Sequence, residues 1–339
     1  MRKFYDIVNY DYIEIEKEVW DEQADKYIFG YMNATGYFHH DYTGNKYFRN
    51  NHVKNLSSGG KCKISFSPQT RILKISICPS KWATGQNVEL IGIDSTRKLF
   101  INLENELAVE LGDAWITQLD LTQRPFTECN VGAYTPFLCS FPHNRVFSKL
   151  MFNDTLTYTG NSFAISLTFY DKNRQTRDKR GNKSVDIPIH LMGKNITTYE
   201  VRLNSSTQIA KIMNLQKELN PKPELNFLFQ DEIVAHLDKY WRDSYQSIPK
   251  LTDIGFDLSG VTEGKDVIKA IQEFSNAQLG RSKIEALIKI ADDSGAFKKR
   301  GQKSYARKVL LKPFEQKGKK NSLIEELDYK IMSSKINWD

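Results

Sequence analysis

The fold is indicated by the stretch Ser162–Lys172, which reads SFAISLTFYDK. Apolar side chains stand at every second position of this stretch: Phe163, Ile165, Leu167 and Phe169. Alternate side chains of a β-strand point to opposite faces of its sheet. The stretch therefore predicts a half-buried strand that carries Tyr170 and Lys172 together on its polar face.

Two further stretches show the same alternation. In Trp115–Thr122 the apolar side holds Leu119 and Leu121, and the other side holds Gln118, Asp120 and Thr122. In Thr197–Leu203 the core side holds Tyr199, Val201 and Leu203, and the outward side holds Thr198, Glu200 and Arg202. If the three strands share one antiparallel sheet, one face is apolar and the other displays Tyr, Lys, Asp and Glu side chains.

Other elements complete an α+β prediction. The β-branched runs Lys61–Phe66 and Arg71–Cys78 indicate a hairpin. In Asp94–Leu111, leucines at every fourth position predict a helix over the apolar face of the sheet, with Asp94 as N-cap and Gly112 as the stop. The predicted fold class is thus an antiparallel sheet covered by helices on one face, with a helical C-terminal region.

The character of the sequence changes near Asn220–Pro223, where two prolines interrupt the chain. Beyond this point apolar residues recur at helical spacing in three segments. They are Ile233, Val234, Leu237, Tyr240 and Trp241; then Val267, Ile268, Ile271 and Phe274; then Ile284, Leu287 and Ile288. We predict two regions, residues 1–219 with the sheet and residues 220–339 as a helical, basic accessory region.

Positive charge is concentrated in one segment. The net charge is +7, and residues 298–320 hold ten Lys/Arg against one acid, so the rest of the chain balances at −2. Such a segment suits phosphate contacts that release counterions, although a solvated linker is the alternative. No apolar run approaches membrane-spanning length and no signal peptide is visible, so we expect a cytoplasmic protein. The four cysteines lack CxxC spacing, which favours reduced, packed thiols.

The polar face of the predicted sheet suits a metal-assisted phosphodiester reaction. Two carboxylates, Asp120 and Glu200, can hold a hard cation such as Mg²⁺. A tyrosine hydroxyl is a weak nucleophile at its ordinary pKa and needs positive charge nearby, which Lys172 can supply. The alternative is that Tyr170 is an ordinary surface tyrosine, because the chain has sixteen tyrosines and outward polar residues are normal on such a sheet.

Four blocks, in order over roughly residues 60–215, resemble the rolling-circle initiators related to filamentous-phage gene II proteins and Rep_trans plasmid initiators. Phe169–Lys172 and Tyr199–Leu203 resemble the Tyr-x-Lys and Arg-Phe-Glu-x-Arg/Leu pair of that family. Pro79–Val88 and Gln118–Thr122 resemble two further blocks of the phage branch. The resemblance implies that Tyr170 is the nicking nucleophile, Lys172 its electrostatic helper, and Asp120 and Glu200 ligands of Mg²⁺ or Mn²⁺.

The sequence also departs from the family. Where relatives carry a glutamate five residues after the tyrosine, this chain has Gln175, so the count of carboxylates is one short. Tyr199 replaces a phenylalanine and is a second tyrosine candidate, ranked lower because alternation puts it on the core side. His39, His40 and His190 are weak candidates for a third metal ligand.

The implied function is a phage or plasmid initiator that nicks and rejoins one strand of origin DNA, single-stranded or locally melted, through a phosphotyrosine intermediate. Its partners would be the host helicase and polymerase in the bacterial cytoplasm, and no membrane contact is expected. The expected DNA contacts are Lys81, Arg202, Lys298, Lys299, Arg300, Arg307 and Lys308, and Tyr305 is a weaker candidate for base stacking. The rival interpretations are a non-catalytic DNA-binding regulator and a structural protein of a mobile element. The sequence does not contain the motifs of a tyrosine recombinase or of a phosphate-loop ATPase, which disfavours both classes.

Overall fold

The computed structural model describes residues 8–20, 37–40, 46–54, 60–67, 69–141, 147–152, 155–160, 162–178, 188–215, 222–250, 281–297, 301–315 and 322–333. Eleven strands are found in these residues. They are β1 Asn9–Glu18, β2 Tyr37–His40, β3 Lys46–Lys54, β4 Lys61–Ser67, β5 Ile72–Ile77, β6 Trp115–Gln123, β7 Phe126–Thr127, β8 Phe147–Phe152, β9 Thr155–Gly160, β10 Ile165–Asp171 and β11 Asn195–Leu203.

The strands form one antiparallel sheet in the order β2-β3-β4-β5-β1-β6-β11-β10-β9-β8, with β7 paired to β11 beside this path. The predicted hairpin is confirmed, since β4 and β5 pair antiparallel with Phe66 opposite Leu73. The three strands with alternating patterns, β6, β11 and β10, are direct neighbours. The N-terminal strand β1 lies between β5 and β6, at the centre of the sheet.

The described residues include nine helices. They are α1 Pro79–Thr84, α2 Ile93–Leu107, α3 Val131–Tyr134, α4 Lys172–Asp178, α5 Ser206–Ile212, α6 Asp231–Ser247, α7 Arg281–Asp293, α8 Gln302–Glu315 and α9 Ser322–Ser333. Of these, α2, α6 and α9 pack against the apolar face of the sheet. Leu121 and Val201 of the sheet share one core with Leu103 of α2, Trp241 of α6 and Leu327 of α9. The predicted fold class, α+β with helices on one face and a helical C-terminal region, is confirmed. No helix in the described part of the chain is long and apolar enough to span a bilayer.

The predicted helix Asp94–Leu111 is shorter than expected. It runs from Ile93 to Leu107, its N-cap is Gly92 rather than Asp94, and Ala108 ends it in the left-handed region at φ 51°. Leu111 lies beyond the helix, where its N–H donates to Glu104 Oε1 at 2.7 Å. The Leu111 side chain is buried nevertheless, because it packs into the core from the segment after the helix rather than from the helix itself.

The predicted strand Ser162–Lys172 is trimmed at both ends. The strand begins at Ile165, and Phe163 was wrongly placed on the apolar stripe, because it adopts a φ of 55° and is 74% exposed. Lys172 is the first residue of α4 rather than part of the strand. It still lies beside Tyr170, because the helix begins directly where the strand ends.

The C-terminal helices follow the predicted patterns in part. In α6 the predicted face is buried at Ile233, Val234, Leu237 and Trp241, whereas Tyr240 is half-buried. In α7 Ile284 and Ile288 are buried against Leu311 of α8, but Leu287, expected on the same face, is 52% exposed. The predicted helix around Val267–Phe274 lies outside the described residues. The division at residue 219 stays a prediction, and side chains of α6 and α9 do contribute to the core of the sheet.

Candidate active site

The polar face of β6, β11 and β10 forms the floor of a cleft of about 730 Å³. Strand register places the side chains: Asp120 is directly opposite Arg202, and Glu200 is directly opposite Thr168. Tyr170 lies two residues further along the same face as Thr168. The prediction that Tyr170, Asp120 and Glu200 share one face is therefore confirmed, and Tyr199 is fully buried on the core side, as expected.

Arg202 joins the two carboxylates. Its Nε lies 3.0 Å from Asp120 Oδ2, and its Nη2 lies 2.9 Å from Glu200 Oε1. Both acids are buried, while the side chain of Arg202 is half-exposed. Burial and the charge of Glu200 raise the pKa of Asp120 to about 7, and burial together with Asp11 raises the pKa of Glu200. Negative charge is thus concentrated at this point beyond what one arginine neutralises.

This donor set fits a divalent metal. Carboxylate oxygens are the ligands that Mg²⁺ and Mn²⁺ prefer. Among the described residues no cluster of three or more His, Cys, Asp or Glu side chains has metal-binding geometry, so a cation would rest on Asp120, Glu200 and non-protein ligands. His190 lies on the surface with its Nε2 2.7 Å from Glu89, and the side chains of His39 and His40 lie outside the described residues.

The hydroxyl of Tyr170 is buried and hydrogen-bonded to a carboxylate, and it is protonated in this arrangement. This hydroxyl donates to Glu200 Oε2 at 3.2 Å, and only 5% of the residue is exposed. Burial and the charges of Glu200 and Asp11 raise the pKa of Tyr170 well above its ordinary value, and Arg124 opposes this rise. Deprotonation of this hydroxyl would require a proton acceptor, and Glu200 is hydrogen-bonded to it.

Lys172 is held beside Tyr170 by the start of α4. Its Nζ lies 5.6 Å from the centre of the Tyr170 ring and donates to Gln175 Oε1 at 3.1 Å. Burial and the charge of Arg124 lower the pKa of Lys172 to about 7. Gln175 thus provides a neutral acceptor for this lysine.

Sequence reasoning missed a buried ion pair behind the tyrosine. Arg124 follows β6, its side chain is fully buried, and its Nη2 lies 2.6 Å from Asp11 Oδ1 and 2.9 Å from Asn87 Oδ1. Asp11 is the extra residue of a bulge in β1, between Tyr10 and Tyr12. Burial alone would raise the pKa of Asp11, but the charges of Arg124 and Lys172 lower it below its ordinary value.

A local signal for Arg124 did exist. The alternation of Asp120 and Thr122 continues to position 124, which puts an arginine on the polar side at the end of the same strand. No comparable signal marked Asp11, because its side chain reaches the cleft through a bulge, which shifts the period of two. The buried charge of Arg124 acts on Tyr170, because it opposes the rise of the Tyr170 pKa.

The expected DNA contacts are dispersed. Lys81 is exposed on α1, and Arg307 and Lys308 are exposed on α8, where Arg307 Nη2 lies 3.7 Å from Glu285. Tyr305 is also exposed on α8. Arg202 belongs to the floor of the cleft rather than to a separate basic surface. Lys298, Lys299 and Arg300 lie outside the described residues.

Comparison with known protein families gives a match over the sheet except for its N-terminal strand β1. The family model Phage_CRI, which describes the N-terminal part of a phage replication-associated protein, matches residues 29–218, more than half of the chain. No curated protein matches. The matched range contains Asp120, Arg124, Tyr170 and Glu200, whereas Asp11 lies before it.

Proposed function

The chain belongs to the Phage_CRI family of replication-associated proteins, which are phage initiators of rolling-circle replication, and we propose that it nicks and rejoins one strand of origin DNA through Tyr170. The observation that carries the proposal is the hydrogen bond from the Tyr170 hydroxyl to Glu200, at the floor of a cleft that also holds Asp120, with Lys172 beside it. A nucleophile bonded to a proton acceptor, with cations nearby, is the arrangement that covalent catalysis requires.

The proposed reaction is a transesterification. The Tyr170 oxygen bonds to the phosphorus of the scissile phosphodiester, and the bond from phosphorus to the 3′ oxygen breaks. The phenolic proton passes to Glu200 Oε2, and the leaving oxygen takes up a proton from solvent water to become a free 3′-hydroxyl that can prime synthesis. The product is a 5′-phosphotyrosine, which retains the energy of the phosphodiester, so the reverse reaction rejoins the strand without ATP.

The cations of the site have separate roles in this proposal. Lys172 and Arg124 offset the negative charge that develops on the phenolic oxygen and the phosphate, in a buried setting where such interactions are strong. Asp120 and Glu200 would hold Mg²⁺ or Mn²⁺, which stabilises negative charge on phosphate oxygens when bound. Arg202, half-exposed between the two carboxylates, can turn toward a phosphate when a cation takes its place.

The accessory contacts are also proposals. Lys81 and the basic residues of α8, Arg307 and Lys308, would bind duplex phosphates and contribute affinity rather than base specificity. The protein would act in the cytoplasm of a bacterial host, with host helicase and polymerase extending the 3′ end that it frees. Residues 220–339 would serve as the accessory region.

The test is formation of a covalent protein–DNA adduct. Wild-type protein and Tyr170→Phe are incubated with single-stranded DNA from the element's own origin, with Mg²⁺ or Mn²⁺ and with EDTA. We expect an adduct with wild type and metal, and none with Tyr170→Phe or with EDTA. Tyr12→Phe is the matched control, because Tyr12 lines the same cleft but donates to Glu14.

The outcomes separate the alternatives. An adduct that survives in Tyr170→Phe moves the nucleophile to another residue and overturns this assignment. Binding of origin DNA with no adduct under any metal condition favours the non-catalytic DNA-binding regulator. Mass analysis of the tryptic peptide that carries the nucleotide identifies the modified tyrosine directly.

A further inference from the structure

The sheet that forms the floor of the cleft has two chemically different sides, which we call its two walls. Among the described residues that line the cleft, the carboxylates all belong to the side formed by β1, β6 and β11: Asp11, Asp120 and Glu200. The other wall, formed by β9 and β10, is lined with hydroxyls: Thr155, Thr157, Thr159, Ser166 and Thr168. Phosphates are repelled by the first wall and can accept hydrogen bonds from the second, as serine and threonine hydroxyls commonly donate to DNA backbones.

The hydroxyls form ordered rows rather than scattered positions. Ser166 is directly opposite Thr159, and Thr168 is directly opposite Thr157, with the last two hydroxyls 3.4 Å apart. The rows lie on the face of β10 that carries Tyr170. A strand rises about 3.3 Å per residue, so the five steps from Ile165 to Tyr170 span about 17 Å. That is the length of about five nucleotides stacked at 3.4 Å each.

Phe163 stands at the far end of this wall. Its ring lines the cleft and is 74% exposed, although it is one of the largest apolar side chains of the chain. Its φ of 55° lies in the left-handed region, where bulky residues are rare. Two hydrogen bonds fix this backbone: Phe163 N–H donates to Gly160 O at 2.8 Å, and Asn204 Nδ2 donates to Phe163 O at 3.0 Å.

We propose that the β9–β10 wall is the track for the single-stranded DNA that reaches Tyr170, and that Phe163 stacks on one of its bases. The inference deepens the proposed function and rests on it. Stacking explains why an apolar ring is held out of the core on a backbone that disfavours it, since such strained positions cluster at ligand-binding sites. Base–aromatic stacking tolerates any sequence, because every base offers a flat apolar face.

The experiment measures binding without cleavage. The full chain carrying Tyr170→Phe is titrated against two fluorescein-labelled oligomers, dT12 and an abasic 12-mer with the same phosphates. Adding Phe163→Ala is expected to weaken dT12 binding about 5- to 150-fold, the range for loss of one stacked base. Binding of the abasic oligomer is expected to be unchanged. The matched control is Phe152→Ala, because Phe152 is 73% exposed on β8 and lies outside the cleft lining. This control should bind both oligomers as tightly as the Tyr170→Phe parent.

A second variant separates stacking from folding. Phe163→Gly removes the ring but adopts a positive φ without strain, so its melting temperature should equal or exceed that of the parent while dT12 binding falls as in Phe163→Ala. The proposal is overturned if both variants bind dT12 as tightly as the parent Tyr170→Phe protein. It is also overturned if they lose affinity for dT12 and the abasic oligomer equally, or if the parent does not bind dT12 measurably. If wild type forms no adduct while dT12 binding still depends on Phe163, the nicking proposal fails and the track stands.

Discussion

The buried ion pair between Asp11 and Arg124 gives the sharpest prediction about stability. The Arg124 side chain has no exposed surface and that of Asp11 has 9%, so water cannot replace either partner. Removing one member of a buried pair leaves the other charge without compensation and costs about 3–5 kcal/mol. Asp11→Asn keeps the shape of the side chain and removes its charge, so we expect the free energy of unfolding at pH 7 to fall by about that amount.

The effect has a defined pH dependence. The folded-state pKa of Asp11 is lowered below its ordinary value of 3.8, so the charged form is favoured by folding. The contribution of the carboxylate is therefore complete above about pH 4 and is lost as the pH falls through the lowered pKa. The difference between wild type and Asp11→Asn should therefore shrink as the pH falls below about 4.

Urea unfolding, followed by circular dichroism, is the assay. Glu16→Gln is the matched control on the same strand, because Glu16 forms a partly exposed pair with Lys74 at 3.2 Å, and such pairs contribute at most about 1 kcal/mol. The double variant Asp11→Asn/Arg124→Gln should cost less than the sum of the single changes, by about 1–3 kcal/mol. A loss below about 1 kcal/mol for Asp11→Asn, or strict additivity in the double variant, would refute the reasoning.

Two further predictions concern the core and the buried lysine. Trp241→Ala, at a fully buried ring whose centre lies 4.9 Å from that of Tyr199, should lower the free energy of unfolding by about 3–5 kcal/mol. Trp20→Ala, at a ring 69% exposed, should change it by less than about 1 kcal/mol, and similar losses for both in urea would contradict the assigned core. Lys172→Met should stabilise the protein on the order of 1–4 kcal/mol at pH 6, because folding lowers the pKa of Lys172 from 10.5 to about 7 and so disfavours its charge. The gain in stability should shrink as the pH rises toward 10. If thermal melts at pH 6 show Lys172→Met to be less stable than wild type, burial of the Lys172 charge does not destabilise the fold and the prediction is wrong.

The sequence determined the local features of this protein. The period of two in β6, β10 and β11 sets which side chains of each strand share a face, and it puts Asp120, Glu200 and Tyr170 each on the polar side of its own strand. The pairing of the three strands then brings these side chains together in the cleft. The period of about 3.6 in α6 likewise places Trp241 in the core. Both patterns depend only on near neighbours along the chain, so they can be recognised without knowing which strands pair.

The tertiary structure decided the features that depend on pairing between distant segments. Strand order brings β1 between β5 and β6, and a bulge turns Asp11 toward Arg124, 113 residues away. Phe163 fits the apolar stripe by alternation, yet the turn before β10 holds it outward through hydrogen bonds to Gly160 and Asn204. Local propensity is worth a few tenths of a kcal/mol per residue, whereas long-range hydrogen bonds and buried charges are worth several times more, so they override the local pattern at these positions.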